Sequence, residues 1–158
     1  MLSRTRRLSA ISILTNVVEY LPGLFTQVLV PPAVIHELAN VDSPAKVRDW
    51  IASPPNWLKI VTPRNAPDTF GLDLGETQAI LLGEEYGIKS ILIDERKGNR
   101  VARERGFRVV GTLAIIERFA ERGWIDFEDI IARLRLTTFR YSEPLIVQIR
   151  ERLTTRRQ

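Results

Sequence analysis

The stretch KSILIDERKGNRVARERGFRVVGTLAIIERFAERG, residues 89–123, decides the fold class. Two apolar runs, SILI and FRVV, each lead into a segment with helical character that ends at a glycine, Gly106 or Gly123. Strands joined through helices need long right-handed crossovers, which produce a parallel sheet. The runs lack alternating polar residues, as is typical of strands covered by helices on both faces. The stretch therefore predicts an α/β fold with a mostly parallel sheet.

The same alternation of strands and helices runs through the rest of the chain. TQVLV (26–30) and NWLKIVT (56–62) predict two more strands, and the segments between them predict helices at PPAVIHELA (31–39), PAKVRDWIAS (44–53) and GLDLGETQAILLGEEYG (71–87). An amphipathic helix, or two short ones, is expected over residues 8–25. Terminal helices are expected within residues 126–158, opened by the capping residues Asp126 and Ser142. We expect a single domain over residues 1–158.

Composition excludes several classes of site. The chain of 158 residues has no cysteine, which rules out disulfides, thiolate zinc sites and a cysteine nucleophile. It has one histidine, His36, so a zinc site or a serine hydrolase triad is not expected. The net charge is +4, a mild excess that is weak support for nucleic-acid binding. No apolar run approaches the roughly 20 residues of a membrane helix, and we expect a cytoplasmic protein with no membrane partner.

Three acidic residues follow predicted strands. Glu37 lies on the helix after QVLV, Glu76 opens the helix ETQAILL, and Asp94 follows SILI. Ligands of parallel α/β sheets bind beyond the carboxyl ends of the strands, so these side chains could share one site. Carboxylates without histidine or cysteine favour Mg²⁺ or Mn²⁺. Such an ion can activate water and stabilise a phosphodiester during its cleavage.

Each acidic residue also has a purely structural interpretation. Asp94 is a good helix N-cap, Glu37 could be a solvated helix residue, and Glu76 would be stabilised by the helix dipole. Asp73 is expected only to cap the helix that contains Glu76. The sequence alone leaves these alternatives open.

Two segments together resemble the PIN-domain family. They are FTQVLVPPAVIHELA (25–39) and LDLGETQAILLGEEYGIKSILIDERKGNRVARERGFRVVGTLAII (72–116), and the resemblance is to the small prokaryotic branch related to VapC-type toxins. It implies a three-layer α/β/α sandwich around a parallel sheet. It also implies a ribonuclease that depends on Mg²⁺ or Mn²⁺, often a toxin held by an antitoxin protein. Homodimers are common in the family.

The resemblance also suggests roles for individual residues. Glu37, Glu76 and Asp94 match the catalytic, metal-binding acids of the family, and Glu95 matches a second acid beside the last of them. Thr112 matches a hydroxyl residue near the site, here a candidate RNA contact. The basic residues just after Asp94 are further candidates for RNA-backbone contacts, with a solvated helix face as the alternative: Arg96, Lys97 and Arg100.

The N-terminus departs from the family pattern. PIN domains begin with a central strand that ends in an aspartate, but RTRRL (4–8) stands at the matching place here, with Arg4 at the position of that aspartate. Residues 1–7 would then be a remnant of a truncated first strand. A cation there would oppose metal binding by roughly 4 kcal/mol at 4 Å and an effective dielectric constant of 20. Gln78 also replaces a glutamate that is frequent in this branch.

Three interpretations of this departure stay open. Either the start is misassigned or the gene damaged, or the chain is an inactive scaffold, or a different N-terminal fold leaves three acids for one metal. We favour a metal-dependent endoribonuclease acting on RNA. The alternative is a catalytically impaired PIN-like scaffold that binds nucleic acid or a protein partner without cleaving.

Overall fold

The computed structural model describes residues 15–65 and 69–156. Within these ranges the chain opens with a 3-10 helix, Val17–Gly23. The strands are β1 (Val28–Val30), β2 (Leu58–Ile60), β3 (Ser90–Leu92) and β4 (Arg108–Val110). The helices are α1 (Pro32–Ala39), α2 (Ala45–Ala52), α3 (Leu74–Glu85), α4 (Arg96–Glu104), α5 (Thr112–Glu121), α6 (Phe127–Arg135) and α7 (Glu143–Arg156).

The strands confirm the α/β class and the parallel direction. β1 pairs with β2 in parallel, with Leu29 opposite Lys59, and β3 pairs with β4 in parallel, with Ile91 opposite Val109. Among the described residues the two pairs form separate two-stranded sheets. Within the described ranges, no strand joins β1 to β3.

The first predicted helix is only partly within the described chain. Residues 1–14, which include the proposed strand remnant 1–7 and Arg4, lie outside it, as do residues 66–68 and 157–158. In the described part, the 3-10 helix Val17–Gly23 replaces the expected α-helix. Asn16 before it is left-handed at φ 61°, and Pro22 has no amide hydrogen to donate, which disfavours a longer α-helix.

The terminal helices agree with the prediction. Asp126 caps α6 by accepting a hydrogen bond from the Asp129 amide at 2.9 Å, and Ser142 Oγ accepts one from the Leu145 amide at 3.4 Å. α7 ends at Arg156.

Apolar burial, more than surface charge, attaches α7 to the domain. It buries Ile146, Ile149 and Leu153, and each such side chain contributes about 1.5–3 kcal/mol. Arg150 pairs with Glu128 of α6 at 2.6 Å, and Arg152 pairs with Glu117 of α5 at 2.7 Å. Exposed ion pairs contribute only about 0–1 kcal/mol each, so they orient the helix more than they hold it.

Two groups of buried apolar residues form the core. The larger one joins the 3-10 helix to α1, α2, α5, α6 and α7, and its fully buried members include Val47, Ile116, Phe119, Leu134 and Ile146. The smaller one lies between α3, α4 and the β3–β4 pair: Ile80, Ile93, Ala102 and Phe107. This smaller group supports α3 and the end of β3, which carry Glu76 and Asp94, whereas α1 with Glu37 packs on the larger group.

Candidate active site

The acidic residue at the start of α3, Glu76, is the most buried of the candidates. Its side chain is 3% exposed, and among the described residues its Oε1 atom has no hydrogen-bond partner. Burial, followed by the charges of Asp73, Glu95 and Glu37, raises its pKa from 4.5 to about 7, although a hydrogen bond from the Asp73 backbone amide to the Glu76 carboxyl acts in the opposite direction. Glu76 therefore lies in an acidic environment that favours a proton or a cation.

Glycines allow the helices to approach Glu76 closely. A Cβ atom added to Gly98 of α4 would lie 2.5 Å from Glu76 Oε1 and 3.0 Å from Ile93 Cγ2. A Cβ atom added to Gly75 would lie 3.1 Å from Val34 of α1 and 3.6 Å from Glu37 Oε1. Helices α1, α3 and α4 thus bring Glu37, Glu76 and the start of α4 together.

We expect Gly98→Ala to destabilise the protein by about 1–3 kcal/mol through this contact, as overpacking does elsewhere. Without the contact, alanine would instead stabilise the helix by about 1 kcal/mol relative to glycine. Urea unfolding measures the sign directly. In a Glu76→Ala background most of the destabilisation should disappear, and an equal loss in both backgrounds would contradict the proposed contact.

Asp94 is held by the first residue of α5. The Thr112 amide donates to Asp94 Oδ1 at 2.9 Å, and the Thr112 hydroxyl donates to Oδ2 at 2.6 Å. Burial raises the pKa of Asp94 above its usual value of 3.8, and the two Thr112 hydrogen bonds oppose that rise. A Cβ atom added to Gly111 would lie 2.9 Å from Asp94 Oδ1, so the glycine leaves room for the carboxylate.

The structure corrects the helix-cap interpretation of Asp94. α4 begins at Arg96, its cap position is Glu95, and no side chain caps it. Asp94 instead directs both oxygens toward α5. The reason is the parallel pairing of β3 with β4, which places the segment after β3, with Asp94, beside the start of α5.

Thr112 lies 3% exposed and donates both of its hydrogen bonds to Asp94. Its position as a hydroxyl residue near the site agrees with the expectation, while its contacts define it as a positioning residue for Asp94. Its proposed contact with RNA has no support in these contacts.

We expect Thr112→Val to raise the pKa of Asp94 further and to destabilise the fold by about 1 kcal/mol, since one hydrogen bond to a buried carboxylate is lost. Thr112→Ser keeps the hydroxyl and should resemble the wild type. Carboxyl NMR titration of Asp94 together with urea unfolding checks both. Indistinguishable serine and valine variants would refute the positioning role.

The basic residues that were predicted to contact RNA lie on the first turns of α4. Arg96, Lys97 and Arg100 are exposed, and the Lys97 ammonium contacts the Gly71 carbonyl. Arg100 lies 3.9 Å from Glu104 with its side chain 70% exposed, so this pair restrains it little. The first turn of α4 contains no acidic residue, and the helix dipole adds positive potential there.

The roles of two residues at the site were not predicted from the sequence. Asp73 was expected only to cap α3, which it does by accepting from the Glu76 amide at 2.8 Å, but its charge also raises the pKa of Glu76. Gln78 Oε1 accepts from the Ala33 amide at 3.2 Å and so joins α3 to the first turn of α1. A glycine inside a predicted helix, such as Gly98, was the available signal for close packing.

The acidic side chains have the oxygen donors that a hard divalent cation prefers, but they do not form a complete set of metal ligands. Within residues 15–65 and 69–156, no three acidic or histidine side chains form a group that could hold a metal ion. The donor atoms are all carboxylate oxygens, which suit Mg²⁺ and Mn²⁺. Glu76 Oε1, buried and without a hydrogen bond among the described residues, is the atom that most needs such a ligand.

A comparison with models of protein families identifies the family of the chain. The sequence model of the family described as PIN domain matches residues 7–155, and the chain belongs to the PIN-domain family. Membership indicates a nuclease-type function, generally dependent on divalent metal ions. No curated protein and no solved structure matched the chain. No helix in the described part of the chain is long and apolar enough to cross a membrane.

Proposed function

We propose that the protein is an endoribonuclease that depends on Mg²⁺ or Mn²⁺. The observation that carries the proposal is the buried Glu76 carboxyl, whose pKa is raised to about 7 by burial and by neighbouring acids. A buried acid surrounded by acids is costly for folding unless it binds a proton or a cation. Strongly perturbed carboxyl groups of this kind cluster at functional sites.

Glu37, Glu76 and Asp94, with Glu95 beside them, would hold the cation. When bound, the cation would activate water and neutralise charge on a phosphodiester. Thr112 would fix the orientation of the Asp94 carboxylate, and Gln78 would fix α1, and hence Glu37, against α3. The acids do not form a metal-binding group as they stand, so side-chain movement on metal binding is part of the proposal.

The exposed basic residues of α4 would bind the phosphate backbone of the RNA substrate. Arg96 and Lys97 follow Glu95 directly, so they flank the acidic cluster on the side of α4. Phosphate groups are recognised by arginine and lysine without regard to base sequence. We therefore propose that these residues, with Arg100, position single-stranded or looped RNA across the acids.

A nuclease assay tests this function. The purified chain is incubated with labelled RNA in Mg²⁺, in Mn²⁺ and in excess EDTA. The proposal predicts internal cleavage with either metal and none with EDTA, at salt concentrations low enough to preserve phosphate contacts. Cleavage that survives EDTA, or an absence of cleavage at millimolar metal, would count against it.

The second candidate is a scaffold that binds RNA or a protein partner without cleaving it. It is favoured by the absence of a three-acid metal group within the described ranges. RNA binding without cleavage in the same assay would identify it. For the nuclease we propose a toxin role with an antitoxin partner, and in either case we propose a cytoplasmic protein and a homodimer, in accord with the resemblance to the prokaryotic branch of the family.

A further inference from the structure

A tight turn, residues 69–72, lies just before α3. The Leu72 amide donates to the Thr69 carbonyl at 2.6 Å, and the two central residues, Phe70 and Gly71, have positive φ angles of 47° and 67°. These are features of a type I′ turn, whose first central position is usually asparagine, aspartate or glycine. Phenylalanine is unusual there, because a bulky side chain disfavours the left-handed conformation.

Contacts from two helices hold the turn in this strained conformation. Thr77 of α3 donates its hydroxyl to the Thr69 carbonyl at 3.0 Å. Arg105, just after α4, places its guanidinium carbon 4.4 Å from the centre of the Phe70 ring and pairs with Glu84 at 2.5 Å. Strained residues persist where their surroundings fix them, and they cluster at functional sites. The turn therefore has a fixed position between α3 and α4.

Lys97 of α4 is bound to this turn. Its ammonium donates to the Gly71 carbonyl, and a Cβ atom added to Gly71 would lie 3.0 Å from Lys97 Nζ and 3.6 Å from its Cε atom. The exposed lysine side chain thus lies directly over the glycine. An ammonium group has three donors, and among the described residues this one makes the single hydrogen bond to Gly71. Within that part of the chain, two N–H groups are left for a further acceptor.

The contact between Lys97 and Gly71 lies beside the acidic residues. Gly98, next to Lys97, is the glycine whose added Cβ atom would lie 2.5 Å from Glu76 Oε1. Asp73, two residues after Gly71, accepts a hydrogen bond from the Glu76 amide at 2.8 Å. The contact therefore joins the two chain segments that enclose Glu76.

We propose that the 69–72 turn positions Lys97 for RNA binding, and that its Gly71 carbonyl holds the ammonium so that the other two N–H groups bind one phosphate next to the acids. This inference rests on the proposed function, in which basic residues of α4 contact the RNA backbone. A free lysine side chain is flexible and loses conformational freedom when it binds a phosphate. A lysine already held by the turn has less freedom to lose, so it binds that phosphate more tightly.

Lys97 differs in this respect from Arg100, the basic residue one turn further along α4. In the described part of the chain, Arg100 makes an exposed pair with Glu104 of its own helix at 3.9 Å and no hydrogen bond to another segment. Such a pair restrains a side chain little. The turn therefore selects Lys97 as the residue that fixes the place of one phosphate relative to Glu76.

The binding test uses a fluorescent single-stranded 2′-O-methyl RNA oligonucleotide in EDTA, so that neither cleavage nor a metal ion is needed. Fluorescence anisotropy measures its affinity for the full-length protein at several salt concentrations. Lys97→Met should weaken binding about fivefold, the upper range for an exposed ion pair. It should also reduce the log–log salt slope by about 0.7, as expected for one phosphate contact. Lys59→Met, at an exposed position of β2, removes the same charge and should change neither; equal effects of the two substitutions would contradict the assignment.

A double-mutant cycle separates the positioning of Lys97 from general stability. Gly71→Val should weaken binding at least about twofold, the lower range of coupling between residues in contact, because valine disfavours the φ of 67°. In a Lys97→Met background it should have no further effect. Gly87→Val introduces the same kind of strain at φ 62°, after α3, and should leave the affinity unchanged. If Gly71→Val lowers stability but not affinity, or weakens binding equally in both backgrounds, the turn does not act through Lys97.

Variants at Phe70 repeat the test without changing Gly71, in case Gly71→Val does not fold. Phe70→Asn and Phe70→Val both remove the ring and its contact with Arg105, but asparagine tolerates the left-handed conformation and β-branched valine does not. The asparagine variant should bind at least about twofold more tightly than the valine variant, and this difference should vanish in the Lys97→Met background. Equal affinity of the two variants would refute the positioning role.

These binding measurements are independent of nuclease activity. Binding that depends on Lys97 and Gly71 in this way, without cleavage of ordinary RNA in Mn²⁺, would support the inference and exclude the proposed nuclease. Cleavage by a protein whose RNA affinity is insensitive to both residues would keep the nuclease and overturn the inference. Undetectable binding of the oligonucleotide by the folded wild type at low salt would also overturn it.

Discussion

In the absence of metal, stability is expected to fall as the pH rises from about 5 to about 8, and Glu76→Gln should largely remove that fall. The folded-state pKa of Glu76 is about 7, against 4.5 for the unfolded chain. The folded protein therefore binds more protons in this window, and stability decreases with increasing pH. A difference of that size corresponds to about 3 kcal/mol.

Urea unfolding in EDTA at the two ends of the pH range measures the effect. Glu76→Gln should be more stable than the wild type at the upper pH and similar to it at the lower pH. Glu104→Gln, at an exposed position of α4, is the matched control and should keep the wild-type slope. A Glu76→Gln variant with an unchanged slope would show that Glu76 ionises normally in the folded protein.

Asp94→Asn is expected to lower metal-dependent RNA cleavage by at least about 100-fold, because losing even an outer partner of a metal ligand costs about 10–100-fold and Asp94 is proposed as a ligand itself. Asparagine has nearly the same shape, and its side-chain oxygen can still accept the hydrogen bond from the Thr112 amide. The variant should therefore fold, which circular dichroism and urea unfolding can verify. What it removes is the negative charge that would face the cation.

The control for this substitution is Asp49→Asn, at an exposed position on α2. It changes the net charge of the protein by the same amount, so it should reproduce any general effect of charge on RNA binding. Full cleavage by Asp94→Asn would exclude Asp94 from the metal site. An equal loss in both variants would attribute the effect to net charge.

The sequence predicted the elements that apolar periodicity and capping residues determine. Strands β1 to β4 fall inside their predicted runs, and Asp73 and Asp126 cap their helices as expected. The 3-10 helix Val17–Gly23 was mispredicted as α-helical because helical periodicity does not distinguish the two. In the part of the chain that the structure describes, the four strands form two pairs, and local patterns do not encode such long-range pairing.

The sequence predicted which acidic residues belong to the candidate site better than it predicted their contacts. The positions of Glu37, Glu76 and Asp94 beside strand ends follow from the alternation of strands and helices. The burial of Glu76 against Gly98, and the hydrogen bonds from Thr112 to Asp94, depend on how helices pack in three dimensions. Spacing along the chain does not report such contacts, so Asp94 could equally have been a helix cap.

Calorimetric titration of the protein with Mn²⁺ tests the central claim most directly. The account predicts that the wild type binds the ion, and that Glu37→Gln, Glu76→Gln and Asp94→Asn each weaken binding at least tenfold, while Asp49→Asn does not. Undetectable binding by a folded wild type, or equal affinity for all the variants, would contradict a shared site formed by these three acids.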